Sequence, residues 1–404
     1  MTISRRTLLG SAAAATAVPG IRRARAADNV IKIGVLNDQS GPYRDTGGVS
    51  SVVGVKLAVQ EFAAKGFNVE VISADHQNKP DLGVSLAREW YDREGVDMII
   101  DVPTSSVALA IAGVAKEKNK LHVNIGAASA DLTGKSCAPS LIHYTYDTYQ
   151  LAKSTGGATV KAGGDTWFFI TADYAFGQQL QRDTTTMING ANGKVLGSVA
   201  YPFPGTTDFS SFLLQAQSSG AKVLGLANAG GDTVNSIKQA KEFGITMKIA
   251  TLLMFITDVN ALGLDVAQGL SLSETFYWDL NDRTRAFTKR FIPNSPNNYP
   301  NMIHAGNYSA TLHFLKAVSE MGLPAAKASG TAIAERMKAK PVEDDCFQGS
   351  IRQDGRGMFP SYLFEVKKPS ESKGKWDYYK LVQATPAEQA FRPLAEGGCY
   401  YLKS

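Results

Sequence analysis

The sequence of 404 residues contains no long hydrophobic run. A helix needs about 18 or more consecutive apolar residues to cross the hydrocarbon core of a bilayer, and no such stretch occurs. Hydrophobic residues make up 44% of the chain and charged residues 20%, which is typical of a globular protein long enough for two domains. The composition therefore excludes an integral helical membrane protein, a disordered chain and a collagen-like repeat.

The motifs of common enzyme classes are also missing. There is no glycine-rich dinucleotide-binding or phosphate-binding loop, no HExxH and no GxSxG. The five histidines are scattered and show no metal-ligand spacing. We therefore expect no enzymatic activity, no cofactor and no metal. We also expect no nucleic-acid partner, because no basic stripe is interleaved with aromatic residues.

Cysteine is scarce. The chain has Cys137, Cys346 and Cys399, so at most one intramolecular disulfide can form. Their separations fit no metal-binding or CxxC pattern. We favour a bond between Cys137 and Cys399 with Cys346 in an apolar setting, although spacing alone leaves the connectivity open.

The first 26 residues contain five arginines and no acidic residue. The Arg5-Arg6 pair, the alanine-rich segment Gly10–Val18 and the Ala-Arg-Ala site Ala24–Ala26 have the order of a twin-arginine export signal. We predict cleavage after Ala26 and a periplasmic location. Subtracting five from the 42 basic residues leaves 37, equal to the 37 acidic residues. The formal charge of +5 thus belongs to the signal, and the predicted mature chain is neutral.

The rest of the chain alternates β-rich runs with amphipathic helical patterns. The predicted strands of the first part are Val30–Leu36, Asn68–Ala74, Asp97–Val102 and Leu121–Ile125. Those of the second part are Trp167–Thr171, Lys194–Ala200, Val223–Ala227 and Met247–Leu253. Strand–helix units of this kind predict an α/β fold with two doubly wound lobes, each a parallel sheet covered by helices on both faces.

The region after Gly269 has helical patterns at Met302–Met321 and Ala326–Lys338 but few further strands, so we predict no third domain. We expect three crossovers, near Tyr144–Tyr149, Ser273–Trp278 and Ile351–Gly357. They place residues 27–146 and 277–353 in one lobe, and residues 147–276 and 354–404 in the other. Doubly wound sheets bind ligands at the carboxyl ends of their strands, so the cleft between the lobes is the expected site.

Candidate ligand-binding residues follow the predicted strands. Thr104, Ser105 and Ser106 begin a helix, where hydroxyls and free N–H groups suit a carboxylate, although an ordinary helix cap would look the same. Ala127 and Ala128 follow the next strand and would let a ligand approach the backbone. Asn228, after the predicted strand Val223–Ala227, is a further candidate. The aromatic candidates, each of which could also belong to the core, are Tyr43, Tyr144, Tyr146, Tyr149, Tyr174, Phe176 and Phe255.

Several segments resemble, in the same order, the periplasmic solute-binding proteins of branched-chain amino-acid type ABC transporters. They are Ile31–Gly34, Ser40–Pro42, Gly54–Ala58, Asn124–Thr133, Thr171–Gly177, Gly205–Gln215 and Ser236–Gly244. The resemblance implies a type I periplasmic binding protein fold, with three hinge crossovers between the lobes. It also implies that the closing lobes trap a small-molecule ligand, which is then delivered to ABC transporter permease subunits. We expect a monomer.

The resemblance also bears on the ligand. In members that bind leucine-like amino acids, positions matching Thr104–Ser106 and Ala127–Ala128 hold the carboxylate, and an acidic residue pairs with the ammonium group. The matching segment Thr251–Phe255 contains no acid, and the loop that often supplies a tyrosine begins with Asn228. A buried, unpaired ammonium is costly, so we expect a carboxylate with an apolar or aromatic body, as in the subtype that binds aromatic acids.

Two alternatives remain open. Asp232 or Asp258 could replace the missing acid, which would make the chain a branched-chain or other amino-acid-binding protein. An amide or small-molecule sensor on the same fold is the second alternative.

Overall fold

The computed structural model describes residues 29–295 and 299–402, and the predicted export signal lies outside them. The strands are β1 (Val30–Asn37), β2 (Asn68–Asp75), β3 (Met98–Asp101), β4 (Leu121–Asn124), β5 (Leu141–His143), β6 (Thr166–Ala172), β7 (Lys194–Tyr201), β8 (Val223–Ala227), β9 (Lys248–Thr251), β10 (Ser271–Glu274), β11 (Val342–Glu343), β12 (Gln348–Ile351), β13 (Gly357–Met358), β14 (Ser361–Val366) and β15 (Tyr379–Thr385).

The helices are α1 (Gly48–Phe62), α2 (Pro80–Glu89), α3 (Ser105–Lys118), α4 (Thr148–Leu151), α5 (Gly157–Lys161), α6 (Ala175–Gly190), α7 (Ser210–Ser218), α8 (Gly231–Glu242), α9 (Ile256–Leu262), α10 (Leu264–Ala267), α11 (Asp282–Phe291), α12 (Met302–Met321), α13 (Leu323–Ala328), α14 (Gly330–Lys338) and α15 (Ala387–Ala390). Within the described ranges, none of them is long and apolar enough to cross a membrane.

The first sheet has the strand order β2-β1-β3-β4-β5, and its strands are parallel. Successive side chains of β1 alternate between its faces. Val35 packs in the buried cluster that contains Val55 of α1, whereas Leu36 packs in the cluster that contains Val107 of α3. The long helix α12 packs along α1. Helices thus cover both faces, and we call this unit the first lobe.

The second sheet has the order β7-β6-β8-β9 and is also parallel. In β6, Trp167 and Phe169 belong to one buried cluster, and Phe168 and Ile170 belong to the other. We call the unit built on this sheet the second lobe. The two sheets confirm the predicted α/β fold of two doubly wound lobes.

The strands after β9 add an antiparallel sheet to the second lobe. Its order is β10-β14-β15, and Leu272 and Phe364 lie in the same buried cluster as Phe168. A smaller antiparallel sheet, β11-β12-β13, lies between β10 and β14 along the chain. This region therefore extends the existing architecture and forms no third parallel unit in the part of the chain described.

The predicted helix Ala326–Lys338 is divided into α13 and α14. Ser329 interrupts it by capping α14, since its Oγ accepts a hydrogen bond from the Ala332 N–H at 3.1 Å. Gly330 then packs directly on the backbone of Lys120, where a Cβ atom would lie 2.3 Å from the Lys120 carbonyl carbon. The close contact with the start of β4 therefore decides where the helix breaks.

The end of the chain is fastened to the first lobe. Cys137 and Cys399 form a disulfide, as favoured from the sequence, and Cys346 is a buried free thiol. Arg392 donates a hydrogen bond from Nη2 to the Ala130 carbonyl at 3.1 Å. The last residues thus contact the first lobe, although the predicted boundaries assign residues 354–404 to the second lobe.

The first and third predicted crossovers lie side by side. His143 and Arg356 form an isolated parallel bridge between them. Arg356 is fully buried, its Nη1 donates to the Tyr146 carbonyl at 3.0 Å, and the Asp147 carboxylate lies 3.6 Å from the same nitrogen. Phe391, from the segment after α15, covers the guanidinium with its ring centroid at 4.7 Å. A buried ionic contact therefore joins the two crossovers.

Candidate functional site

A narrow cavity of about 10 Å³, room for about one water molecule, lies between the lobes, at the carboxyl ends of strands from both sheets. Its lining residues from the first lobe and first crossover are Tyr43, Thr46, Pro103, Gly126, Ala128, Tyr146 and Ile303. Those from the second lobe are Tyr174, Phe176, Ala229, Leu253 and Phe255. Small-molecule sites commonly measure about 300–1,000 Å³, so this interlobe cavity can admit a ligand only if the lobes move apart or the lining side chains rearrange. It lies where doubly wound sheets bind their ligands.

The backbone is strained at the end of β3, just before the candidate ligand-binding residues Thr104, Ser105 and Ser106. Asp101 and Val102 both have positive φ, 86° and 49°, which non-glycine residues and β-branched ones especially avoid. The strain is held in place by neighbours: the Asp101 carbonyl accepts hydrogen bonds from the N–H groups of Ile125 and Gly126. Pro103, which lines the cavity, comes next. Such strain concentrates at functional sites, and no local sequence pattern predicts it here.

Thr104, Ser105 and Ser106 lie at the start of α3, next to the cavity, but are not among its lining residues. Thr104 donates a short hydrogen bond to Asn78 Oδ1, and its side chain makes no capping bond. Ser105 Oγ accepts from the Ser129 N–H at 3.3 Å, whereas Ser106 is partly exposed. The first N–H groups of α3 lack intrahelical partners and remain available as donors.

The small-residue loop, residues 125–129, brings backbone donors to the cavity. Ala128 lines it, and Ala127 is buried directly beside it. The carbonyl of Ala127 accepts from Asn124 Nδ2 at 2.7 Å and contacts His143 Nε2 at 2.8 Å. Among the described residues, the N–H groups of Ala127 and Ala128 have no hydrogen-bond acceptor. These two donors can serve a ligand.

Aromatic side chains close the cavity from both lobes. The hydroxyl of Tyr43, in the first lobe, lies 2.5 Å from that of Tyr174, in the second. Phe203 stacks on both rings, with centroids 5.5 Å from Tyr43 and 4.2 Å from Tyr174. Burial raises the pKa of both tyrosines, so the hydroxyls stay protonated and can donate hydrogen bonds. Phe176 and Phe255 complete an aromatic wall.

Tyr149 and Asn228 do not reach the cavity. Tyr149 lies in the first turn of α4, half-buried, with Lys153 Nζ 5.8 Å from its ring centroid. Asn228 is buried, but its side-chain amide is used inside the second lobe: it accepts from Thr233 Oγ1 at 2.7 Å and donates to Ser236 Oγ at 3.1 Å. Its neighbour Ala229 lines the cavity instead.

The two acids that could replace the missing counter-charge are engaged elsewhere. The carboxylate of Asp258 accepts from the Phe255 N–H at 2.9 Å, and that of Asp232 accepts from the Tyr201 hydroxyl at 2.7 Å. Burial raises the pKa of Asp258 to about 7 and that of Asp232 to about 6. Neither lines the cavity, and none of the cavity-lining residues is charged.

Six lining residues were not among the candidates predicted from the sequence: Thr46, Pro103, Gly126, Ala229, Leu253 and Ile303. Most of them lie within a few residues of a predicted candidate in the same strand-end loop. The sequence therefore identified the correct loops but not every residue in them that contacts the cavity. Tyr146 packs edge-on against Phe255, with ring centroids 6.1 Å apart, and stands in the first crossover. Ile303 comes from α12, and no local pattern indicates that this helix reaches the cleft.

Glu274, at the end of β10, is a buried carboxyl in the second predicted crossover. Burial raises its pKa to about 8 from the usual 4.5, although the Tyr379 hydroxyl donates to its Oε1 at 2.9 Å. Between about pH 4.5 and about pH 8, Glu274 therefore stays protonated in the folded chain but loses its proton in the unfolded chain. The free energy of unfolding therefore falls as pH rises from about 4.5 to about 8.

We expect Glu274→Gln to reduce this pH dependence, leaving the smaller slope contributed by other buried acids, Asp258 and Asp232 among them. Guanidinium denaturation at several pH values between about 5 and about 9 measures how the free energy of unfolding depends on pH. Glu388→Gln, at an exposed position of α15, is the control and should behave as the wild type. Equal slopes for Glu274→Gln and the wild type would contradict the prediction.

Comparison with known proteins agrees with this architecture. Residues 30–375 match a family model described as periplasmic binding protein. A crystal structure of a periplasmic binding protein from Burkholderia mallei is 47% identical with a TM-score of 0.90, and the match covers 93% of this chain and 100% of that one. A branched-chain amino acid ABC transporter periplasmic ligand-binding protein from Burkholderia xenovorans is 38% identical with a TM-score of 0.79, covering 92% and 99%.

A more distant relative is the Leu/Ile/Val-binding protein homolog 4 of Brucella abortus, 22% identical over 410 residues, or 96% of each chain. All three relatives are named as binding proteins. The family match covers most of the chain, and the cavity lies between two doubly wound lobes. The chain belongs to the periplasmic binding protein family and has its type I fold.

Proposed function

We propose that this protein binds a small organic carboxylate with an aromatic body in the interlobe cavity and delivers it to an ABC-type importer, after export directed by residues 1–26. The observation that carries the proposal is the lining itself. Aromatic side chains surround the cavity, the N–H groups of Ala127 and Ala128 face no acceptor in the described chain, and no lining side chain is charged.

The carboxylate end of the ligand belongs at the first lobe. Hydrogen bonds from N–H groups to a carboxylate are stronger than neutral ones, and two donors at Ala127 and Ala128 match its two oxygens. The start of α3, just after Pro103, adds the positive end of a helix dipole. A carboxylate can therefore be bound here without an arginine or lysine.

The body of the ligand belongs against the aromatic wall. Phe176 and Phe255 come from the second lobe, and Tyr146 from the first crossover. Aromatic rings prefer edge-on or offset contacts with one another, which gives an aromatic ligand an advantage over an aliphatic one of the same size.

An amino-acid ligand is the second candidate, favoured by relatives named for leucine, isoleucine and valine. Its ammonium group would be buried in a cavity whose lining provides no carboxylate, at a considerable desolvation cost. Two more distant structures share the fold and leave both classes open. One is a Rhodopseudomonas palustris solute-binding protein in complex with benzoate, 21% identical, and the other is a leucine-binding protein from Thermotoga maritima, 19% identical.

Calorimetric titration with benzoate, benzamide, phenylalanine and leucine tests the proposal. Benzamide removes the charge of the carboxylate, and phenylalanine keeps an aromatic ring but adds the ammonium group. We expect benzoate to bind at least about 100-fold more tightly than the other three. Micromolar binding of leucine without a benzoate response would refute the aromatic-acid assignment and favour the amino-acid one.

Phe176→Leu tests the aromatic wall. The variant should weaken benzoate binding by about fivefold, since an aromatic pair contributes about 0.5–1.5 kcal/mol beyond its buried area. Phe243→Leu is the matched control, because Phe243 is exposed at the end of α8 and should leave the affinity unchanged.

A further inference from the structure

Gln179 lies on α6 of the second lobe, three residues after Phe176, so the two side chains share a face of the helix. Phe176 lines the interlobe cavity and Gln179 does not. Gln179 is nevertheless only 4% exposed, which is unusual for a long polar side chain. The structure must therefore pair its amide with other groups.

Both ends of the Gln179 amide hydrogen bond to the first lobe. Ser129 Oγ donates to Gln179 Oε1 at 2.5 Å, and Gln179 Nε2 donates to Asp131 Oδ1 at 3.1 Å. The Ser129 N–H in turn donates to Ser105 Oγ at the start of α3. Ala128, the residue before Ser129, lines the cavity. Gln179 thus connects α6 directly to the small-residue loop.

These two hydrogen bonds cross from one lobe to the other, so they exist only while the lobes are together. A buried amide is costly unless both its oxygen and its nitrogen are paired. In separated lobes, water would solvate Gln179, Ser129 and Asp131 individually. The bonds therefore contribute to one arrangement of the lobes and not to the other, which is the requirement for shifting a conformational equilibrium.

We propose that Gln179 is a positioning residue, which fixes the small-residue loop when the lobes close and thereby slows ligand release. It acts through Ser129 and Asp131, since it does not reach the cavity itself. The proposal rests on the proposed function only in that a ligand binds between the lobes. The chemical class of the ligand does not enter it.

The first test measures lobe separation without ligand. Spin labels at Val49→Cys in the first lobe and Leu214→Cys in the second, positions 64% and 52% exposed, report the distance by double electron–electron resonance in a Cys346→Ser background. We expect Gln179→Leu to shift the distance distribution toward longer separations. Identical distributions for Gln179→Leu and the parent would overturn the proposal.

Gln178→Leu is the matched control. It changes the same residue type on the same helix, but the Gln178 amide donates to Asp173 within the second lobe, at 2.9 Å. We expect its distance distribution to equal that of the parent. A shift as large as that of Gln179→Leu would trace the effect to α6 in general and would also overturn the proposal.

The second test is kinetic and uses benzoate or leucine, whichever binds the wild type. In stopped-flow measurements, Gln179→Leu should raise the dissociation rate constant by about tenfold and change the association rate constant by less than about twofold. An unchanged dissociation rate constant would overturn the proposal. If neither compound binds, the proposed ligand class fails, while the distance measurement still decides the role of Gln179.

Discussion

Replacing Cys137 and Cys399 by serine is expected to lower the free energy of unfolding by about 4 kcal/mol. The disulfide joins residues 262 positions apart, so in the unfolded chain it closes a loop that contains the whole second lobe and α12 to α14 of the first. Opening that loop gives the unfolded ensemble many more conformations. The midpoint of guanidinium denaturation, converted with the measured slope, gives the effect.

The reduced wild-type protein should match the double-serine variant, because both lack the bond. Cys346→Ala is the control, since Cys346 is buried but unbonded and its loss should cost only a small fraction of that amount. A loss below about 1 kcal/mol in the double variant would mean that the remaining contacts of the C-terminal segment, such as the bond from Arg392 to Ala130, keep the segment in place without the disulfide.

Arg356→Met is expected to destabilise the protein by about 3–5 kcal/mol, because it leaves the Asp147 carboxylate buried without its cation. Asp147 also caps α4, accepting from the Gln150 N–H at 2.8 Å, so it cannot turn toward solvent without losing that bond. The variant further removes the bond to the Tyr146 carbonyl that holds the first and third crossovers together. Guanidinium denaturation measures the loss.

Two further variants separate charge from packing. Arg356→Met with Asp147→Asn removes both charges while an asparagine can still cap the helix, and it should recover a large part of the loss. Arg88→Met breaks an exposed ion pair with Glu117, at 2.7 Å, and should leave the free energy of unfolding nearly unchanged. Equal losses for Arg356→Met and Arg88→Met would contradict the assigned role of burial.

Local pattern predicted the parallel strands well. The run Val223–Ala227 was predicted with the bounds that β8 has, because a short apolar run between turn residues is typical of a buried strand. The same reasoning failed for Ala326–Lys338, where helical periodicity continues across Ser329 and Gly330. The contact of Gly330 with Lys120, distant in sequence, breaks the helix there.

For the candidate site, too, local pattern identified some of the cavity-lining residues and misplaced others. Tyr43, Ala128, Tyr174, Phe176 and Phe255 reach the cavity because each follows the carboxyl end of a strand. Tyr149 was chosen by the same rule, but α4 begins at Thr148 and its first turn directs Tyr149 toward Lys153. Tyr146, directly before the cap at Asp147, lines the cavity instead.

By itself the sequence determined the α/β class, the two parallel sheets and the loops that form the cleft, because strand and helix periodicities are local and strand-end loops meet at one edge of a sheet. Only the tertiary structure decided which residue of each loop reaches the cavity, that Ile303 of α12 joins them, and that Gln179 bridges the lobes. Those outcomes depend on contacts between segments far apart in the chain, and no local pattern encodes such contacts.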